Sequence, residues 1–276
     1  METWRFLATG NSSPAFNMAA DEAVLQAVSQ GKAPPTIRFF GWQPPTLSIG
    51  YFQQARRDID FERLGQKGFG FVRRQTGGRA VLHDAELTYS VIVPESHRLM
   101  STSVIEAYRT ISLGLLEGFR SLGLQAELVS LAEEQERGKY DSLGSAACFD
   151  SPSWYELVVE GRKIVGSAQL RQLGTVLQHG SILLDLDIGA LFDVLRFSNE
   201  RMRERMKQAF AERAVSLKQL TGNTYTFEEV SKHFFDGFEK GLEIKLAPGE
   251  LTDDEQQAIE QLIRDKYSQD SWNFRR

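Results

Sequence analysis

Apolar and polar positions recur along this chain at two different periods, and the switches between them mark out its elements. In the segment 14–30, Phe16, Ala19, Ala20, Ala23, Val24 and Ala27 fall at helical spacing and Gly31 supplies a stop, which predicts an early helix. Thr36–Trp42 and Thr46–Tyr51 read as extended runs around Gln43-Pro44-Pro45, a strand–turn–strand pattern. A short helix is predicted over Asp60–Lys67, then strands at Phe69–Arg74 and Leu87–Val93 flanking an irregular loop, Gln75–Glu86. The strongest helical stripe spans 103–122, with Val104, Ala107, Tyr108, Ile111, Leu115, Phe119 and Leu122 on one face. Further strands are predicted at Gln125–Leu131, Trp154–Val159, Lys163–Gln169 and Gly180–Leu186, with turns at Glu160-Gly161-Arg162 and Gln172-Leu173-Gly174. From 188 onward the period is helical, over about 188–197, 199–212, 226–240 and 252–267.

This order predicts the α+β class: a mixed β-sheet core with flanking helices and a helical C-terminal part. With no repeat or linker in view, 1–276 reads as a single domain, its core at about 33–248 and a helical C-terminal extension at about 249–276. The 18 Phe, 7 Tyr and 4 Trp among 276 residues can fill a substantial core. With 32 basic against 37 acidic residues the net charge is −5, which argues against a nucleic-acid binder. No stretch approaches the ~18 uninterrupted apolar residues of a membrane span. The opening Met1-Glu2-Thr3-Trp4-Arg5 has neither the basic head nor the apolar run of an export signal. The single cysteine allows no internal disulfide, so the expected location is cytoplasmic.

Four segments could carry chemistry. The run Arg73-Arg74-Gln75-Thr76-Gly77-Gly78-Arg79-Ala80-Val81-Leu82-His83-Asp84 takes a strand into a double glycine, whose backbone N–H groups could approach an acyl carbonyl, a carboxylate or a phosphate. The plainer alternative is a hairpin turn with solvated arginines. No Gly-Lys-Ser/Thr follows, so it is not a Walker loop. Lys163 opens an apolar strand with Gly166 and Ala168 three and five positions on, small residues that leave room for a ligand; it could equally be a solvated residue after a turn. Cys148 sits among small and polar neighbours, which favours an accessible thiol over a buried one. His179-Gly180 precedes a strand and could line a pocket or serve structure alone. The four histidines 83, 97, 179 and 233 show no ligand spacing, so neither a metal nor a cofactor is expected. Arg196, Arg201, Arg203, Arg205, Lys207 and Arg213 form a locally basic run, interleaved with glutamates. This run and Arg73-Arg74 are candidate docking surfaces for an acidic partner.

In combination the segments are specific. The loop RRQTGGRAVLHD, then ACFDSPSWYELVVEGRKIVGSAQ, then QHGSILLDL, resembles the biotin/lipoate ligase and lipoate transferase superfamily, and within it the octanoyl-transferring members. The resemblance implies a biotin/lipoate protein ligase-like catalytic domain. It further implies transfer of an octanoyl group from octanoyl-acyl carrier protein to a lysine of a lipoyl domain, such as the glycine cleavage H protein. Carried over by position, Cys148 matches the acyl-thioester nucleophile and Lys163 the lysine that lowers its pKa. Arg74, Gly77, Gly78, Arg79 and His83 match the pocket wall, and Gly166, Ala168, His179 and Gly180 match positions lining the acyl tunnel. ATP-dependent lipoate ligases typically have a third glycine where Arg79 stands here, which weighs against ligation; transfer between lipoyl domains is the other alternative.

Overall fold

Strand β1 (Glu2–Ser12) pairs in parallel with β2 (Thr36–Trp42) on one side and, on the other, with β12 (Ile244–Pro248), some 240 residues away. The computed structural model describes residues 1–130 and 155–275; Cys148 lies outside the described residues. The sheet continues from β2 through β6 (Glu86–Pro94), β11 (Thr175–Leu183) and β10 (Val165–Gln172), giving the order β10-β11-β6-β2-β1-β12. A small sheet of order β4-β3-β5 is made by β3 (Thr46–Ile49), β4 (Gly70–Arg73) and β5 (Val81–His83). A third joins β7 (Ala126–Ser130), β8 (Tyr155–Val159) and β9 (Arg162–Lys163). Parallel and antiparallel ladders mix within the large sheet, as the α+β reading requires.

Helix α1 (Pro14–Ser29) starts at Ser13, whose side chain accepts from the Phe16 N–H, and Pro14 fits the first turn. It packs over β6 and β11 and turns Asn17, Asp21 and Glu22 inward. Two short helices, α2 (Ala55–Asp58) and α3 (Phe61–Gln66), link β3 to β4. On the opposite face of the sheet α4 (Val104–Ser121) lies against the long C-terminal helix α8 (Phe227–Leu242). That contact depends on glycine: a Cβ at Gly114 would lie 2.3 Å from the Phe238 ring and one at Gly118 2.4 Å from the Phe234 ring. Between them in sequence come α5 (Ile188–Asp193), α6 (Glu200–Arg213) and α7 (Leu217–Thr221). The chain then runs through α9 (Asp253–Leu262), a π-helical turn Ile263–Tyr267 and α10 (Asp270–Asn273), which pack on α1 and β4.

Several elements differ from the sequence pattern. β1 lies inside the sheet although it precedes the expected start of the core; a register shift between Ala8 and Gly10 breaks its alternation. The Gln43-Pro44-Pro45 turn does not make a hairpin, because β2 and β3 enter different sheets. The expected strand at 163–169 divides at Ile164 into β9 and β10. β11 starts five residues earlier than expected, at Thr175, because Leu173 (φ 53°) and Gly174 (φ 69°) form a two-residue turn that joins β10 to it directly. Every residue of β11 is buried, so its Thr, Gln, His and Ser positions hid the strand.

Candidate active site

Where β10 and β11 face the small sheet, a cavity opens. One wall is made of the small residues Gly166, Ser167, Ala168 and Gly180, with His179 and Ser181 beside them; Met18, Trp42, Arg74, Val81, His83 and Thr88 complete it. The ladder places these groups in register, Gly166 opposite Ser181 and Ala168 opposite His179. Gly180 has a packing reason as well: a Cβ there would meet Ser167 Oγ at 2.6 Å and the Tyr89 ring at 2.8 Å.

Two buried polar networks form the floor. In the first, Glu86 accepts from Thr88 and Ser181 and pairs with His83 Nδ1 at 2.7 Å. His83 Nε2 lies 2.7 Å from Ser48 Oγ, which also accepts from Arg74 Nη1 at 2.7 Å. In the neutral ring, Ser48 therefore gives its proton to Nε2 and His83 donates from Nδ1 to Glu86. In the second network Asp21 accepts from Arg38 and Ser90, each at 2.9 Å, and from His179 Nδ1 at 3.0 Å. Burial alone would raise the Asp21 carboxyl, but the His179 hydrogen bond, the Arg38 charge and Ser90 outweigh it and hold it below its ordinary value. Burial lowers the His179 pKa more than Asp21 raises it, so the ring is neutral at pH 7. With Nδ1 donating to Asp21, its Nε2 accepts from Thr76 Oγ1 at 2.7 Å, which ties the wall to the glycine loop.

The loop itself is held by its own arginine. Arg74 Nη2 donates to the carbonyls of Gly77 and Arg79, both at 3.0 Å. Gly78 has φ +95°, and a Cβ there would lie 4.0 Å from the Ala168 methyl, so the loop rims the cavity. Gly50 makes the approach possible: a Cβ there would fall 2.0 Å from the Gly78 carbonyl oxygen.

The structure thus brings Arg74, His83, Gly166, Ala168, His179 and Gly180 to one cavity, with Gly77, Gly78 and Arg79 on its rim. Lys163 is not part of the lining. It is 5% exposed on β9, where Nζ donates to the equally buried Glu156 at 2.8 Å. The solvated-arginine alternative is overturned, since Arg73 and Arg74 are 0% and 5% exposed, and with it their use as a docking surface. The hairpin alternative fails too, because β5 pairs with β3 rather than β4. Arg201 and Arg205 do stand exposed on α6, whereas Arg203 pairs with Asp193 and Glu200. The sequence reading missed Asp21, Trp42, Ser48, Gly50 and Glu86. Of these only Glu86, three residues after His83, had a local signal; the others come from separate elements.

A larger cavity lies between β5 and the start of α5, with Asp84, Glu86, Asp185 and Asp187 in its walls. Burial and then the neighbouring Glu86, Asp187 and Asp185 push the Asp84 carboxyl up, so this space disfavours an anionic ligand. Among the described residues no group of His, Cys, Asp and Glu is arranged to hold a metal ion.

Residues 13–239 match the family model of the lipoyl protein ligase A/B catalytic domain, and the chain belongs to that family. It is 57% identical over 276 residues to octanoyltransferase LipM of Brevibacillus brevis, covering 100% of both chains. It is 54% identical over 275 residues to octanoyltransferase LipM of Bacillus subtilis, covering 100% of this chain and 99% of the other. Among solved structures, lipoate-protein ligase A bound with ATP is similar at 25% identity with a TM-score of 0.80, 99% of each chain being covered. A bipartite lipoate protein ligase of Thermoplasma acidophilum gives a TM-score of 0.83 at 24% identity, over 99% of this chain and 97% of that one, and shares the fold.

Proposed function

We propose that this protein transfers an octanoyl group from octanoyl-acyl carrier protein, through a thioester on Cys148, to a lysine of a lipoyl-domain protein, such as the glycine cleavage H protein, in lipoate biosynthesis. The likeness along the whole chain, at 54% and 57% identity, to proteins named octanoyltransferase carries this reading. The cavity supports it: three glycine or alanine positions form a wall against which an acyl chain can lie. Among the described residues no helix is long and apolar enough to cross a membrane, in keeping with a cytoplasmic enzyme.

In the first half-reaction the Cys148 thiolate attacks the carrier thioester carbonyl, and the carrier's thiolate leaves. One thioester replaces another, so the exchange is close to isoenergetic and needs no ATP. In the second, the neutral amine of the acceptor lysine attacks the acyl-enzyme, loses its proton, and expels the Cys148 thiolate as the amide forms. A free thiol has a pKa of ~8.5, so a nearby ammonium is useful for forming the nucleophile. Lys163 has that role in this reading, with Glu156 fixing its Nζ. Arg74, Gly77, Gly78, Arg79, His83 and His179 orient the acyl end, and Gly166, Ala168 and Gly180 leave it room.

The test is intact mass after mixing the protein with octanoyl carrier protein alone. Wild type gains one octanoyl group, sensitive to hydroxylamine, and an added lipoyl domain discharges it onto one lysine. Cys148→Ser gains none. Full transfer by Cys148→Ala would replace the covalent route by direct attack of the acceptor lysine. A requirement for ATP and free acid would make the protein a ligase.

A further inference from the structure

The C-terminal segment grips the residue that starts the glycine loop. Asn273 Oδ1 accepts from the Arg73 backbone N–H at 2.9 Å, and the Asn273 carbonyl accepts from Arg73 Nη2 at 3.0 Å. The Trp272 carbonyl accepts from Arg73 Nε at 3.1 Å, while Trp272 Nε1 donates to the Arg73 carbonyl at 3.0 Å. From this fully buried position Arg73 Nη1 reaches the carbonyls of Gly50, Tyr51 and Gln53 at 3.1, 2.9 and 2.8 Å. That segment lies directly on the loop: the Tyr51 N–H donates to the Thr76 carbonyl at 2.9 Å, and Gly50 abuts the Gly78 carbonyl. The tail is anchored in turn. Asn273 Nδ2 donates to the Tyr267 carbonyl at 2.9 Å, and the Tyr267 hydroxyl and Lys266 Nζ reach Glu22 of α1 at 2.5 and 2.6 Å.

A second observation says that the loop needs holding. Gln75, between Arg74 and Thr76, is buried, and neither its Nε2 nor its Oε1 has a hydrogen-bond partner among the described residues. Both atoms would be better solvated if the loop swung out, so the loop carries an internal bias to open.

From these contacts we propose that Trp272 and Asn273 are positioning residues that act through Arg73 to keep the Gly77-Gly78 loop closed over the cavity against the pull of the buried Gln75 amide. Neither Trp272 nor Asn273 is among the described residues that line the cavity; the tail fixes the rim that an acyl donor meets. The consequence for catalysis rests on the octanoyl-transfer reading, whereas the closure itself does not.

The experiment uses the full chain carrying Asn273→Ala, with and without Gln75→Met. Hydrogen exchange of the peptide covering 74–80 is followed beside that of β6, and KM and kcat are measured with octanoyl carrier protein. In Asn273→Ala the loop peptide exchanges about tenfold faster while β6 changes less than about twofold. KM rises about tenfold with kcat within about twofold, because capture is impaired rather than chemistry. Adding Gln75→Met removes the opening bias and returns both readouts to within about threefold of wild type. Unchanged loop exchange in Asn273→Ala overturns the proposal. So does acceleration shared equally by β6, or a defect that Gln75→Met leaves untouched. Wild type that transfers no octanoyl group counts against the transferase reading alone, and the exchange data still decide the clasp.

Discussion

The ring of Trp42 lies flat on that of His83, with centroids 4.2 Å and planes 13° apart. Trp42 also donates Nε1–H to Thr88 Oγ1 at 2.8 Å, so one side chain covers the floor network and is bonded into it. Trp42→Phe keeps a ring on His83 and loses the donor, and is expected to cost about 1 kcal/mol. Trp42→Ala also opens a void, and about 3–5 kcal/mol is expected. Urea denaturation of the two variants checks the ordering; equal losses would mean that the stack contributes nothing.

Ala168 faces the Gly77-Gly78 loop across the cavity. In the octanoyl-transfer reading, Ala168→Phe fills space that the acyl chain would occupy, at a cost in octanoyl binding typical of overpacking, about 1–3 kcal/mol. Transfer of a shorter acyl group should lose less. Rates with octanoyl and butanoyl carriers compare the two, and an equal loss would move the acyl path away from β10.

Lys163→Ala takes from the buried Glu156 carboxylate the ammonium that pairs with it. Loss of about 3–5 kcal/mol of stability is therefore expected, in contrast to the small effect of removing a solvated strand-end lysine. Lys163→Met combined with Glu156→Leu, which removes both charges, should recover most of it. Thermal unfolding reads the stability. Thiol alkylation of Cys148 against pH in the double variant reads the chemistry, and a profile identical to wild type would remove Lys163 from the mechanism.

The His179 pKa is held below its ordinary value of 6.5, so on acidification the unfolded chain takes up a proton that the folded chain refuses. The stability tied to this group is fully present above about pH 6.5 and is lost as pH falls through the lower folded value. Asp21, lowered from 3.8, acts with the same sign at more acidic pH. The melting temperature should therefore fall between about pH 7 and pH 5, and His179→Gln should flatten that slope. A slope unchanged by the substitution would show that other groups set it.

The sequence was most legible where one surface decides the pattern. α4 has a single apolar stripe against α8, and its ends at Val104 and Ser121 lie within a residue or so of the expected ones. β11 was obscured because both neighbours and both faces cover it, so no alternation survives. The same contrast holds at the site. His83, Gly166, Ala168, His179 and Gly180 belong to contiguous motifs and could be named in advance. Asp21 could not, since its meaning lies in Arg38, Ser90 and His179, which three different strands bring to it. Nor does a pair of arginines before two glycines reveal that one faces inward to the cavity and its neighbour toward the chain's far end.

The pairing of β1 with β12 and the hold of Asn273 on Arg73 also bear on the order in which the molecule is made. A ribosome releases β1 and the glycine loop long before residues 244 to 273 exist, so during synthesis one edge of β1 waits for its partner. In the closure proposed above, the rim over the cavity reaches its final place only after residue 273 has emerged. In the octanoyl-transfer reading, a nascent chain is then a poor receiver of acyl groups until residue 273 has emerged.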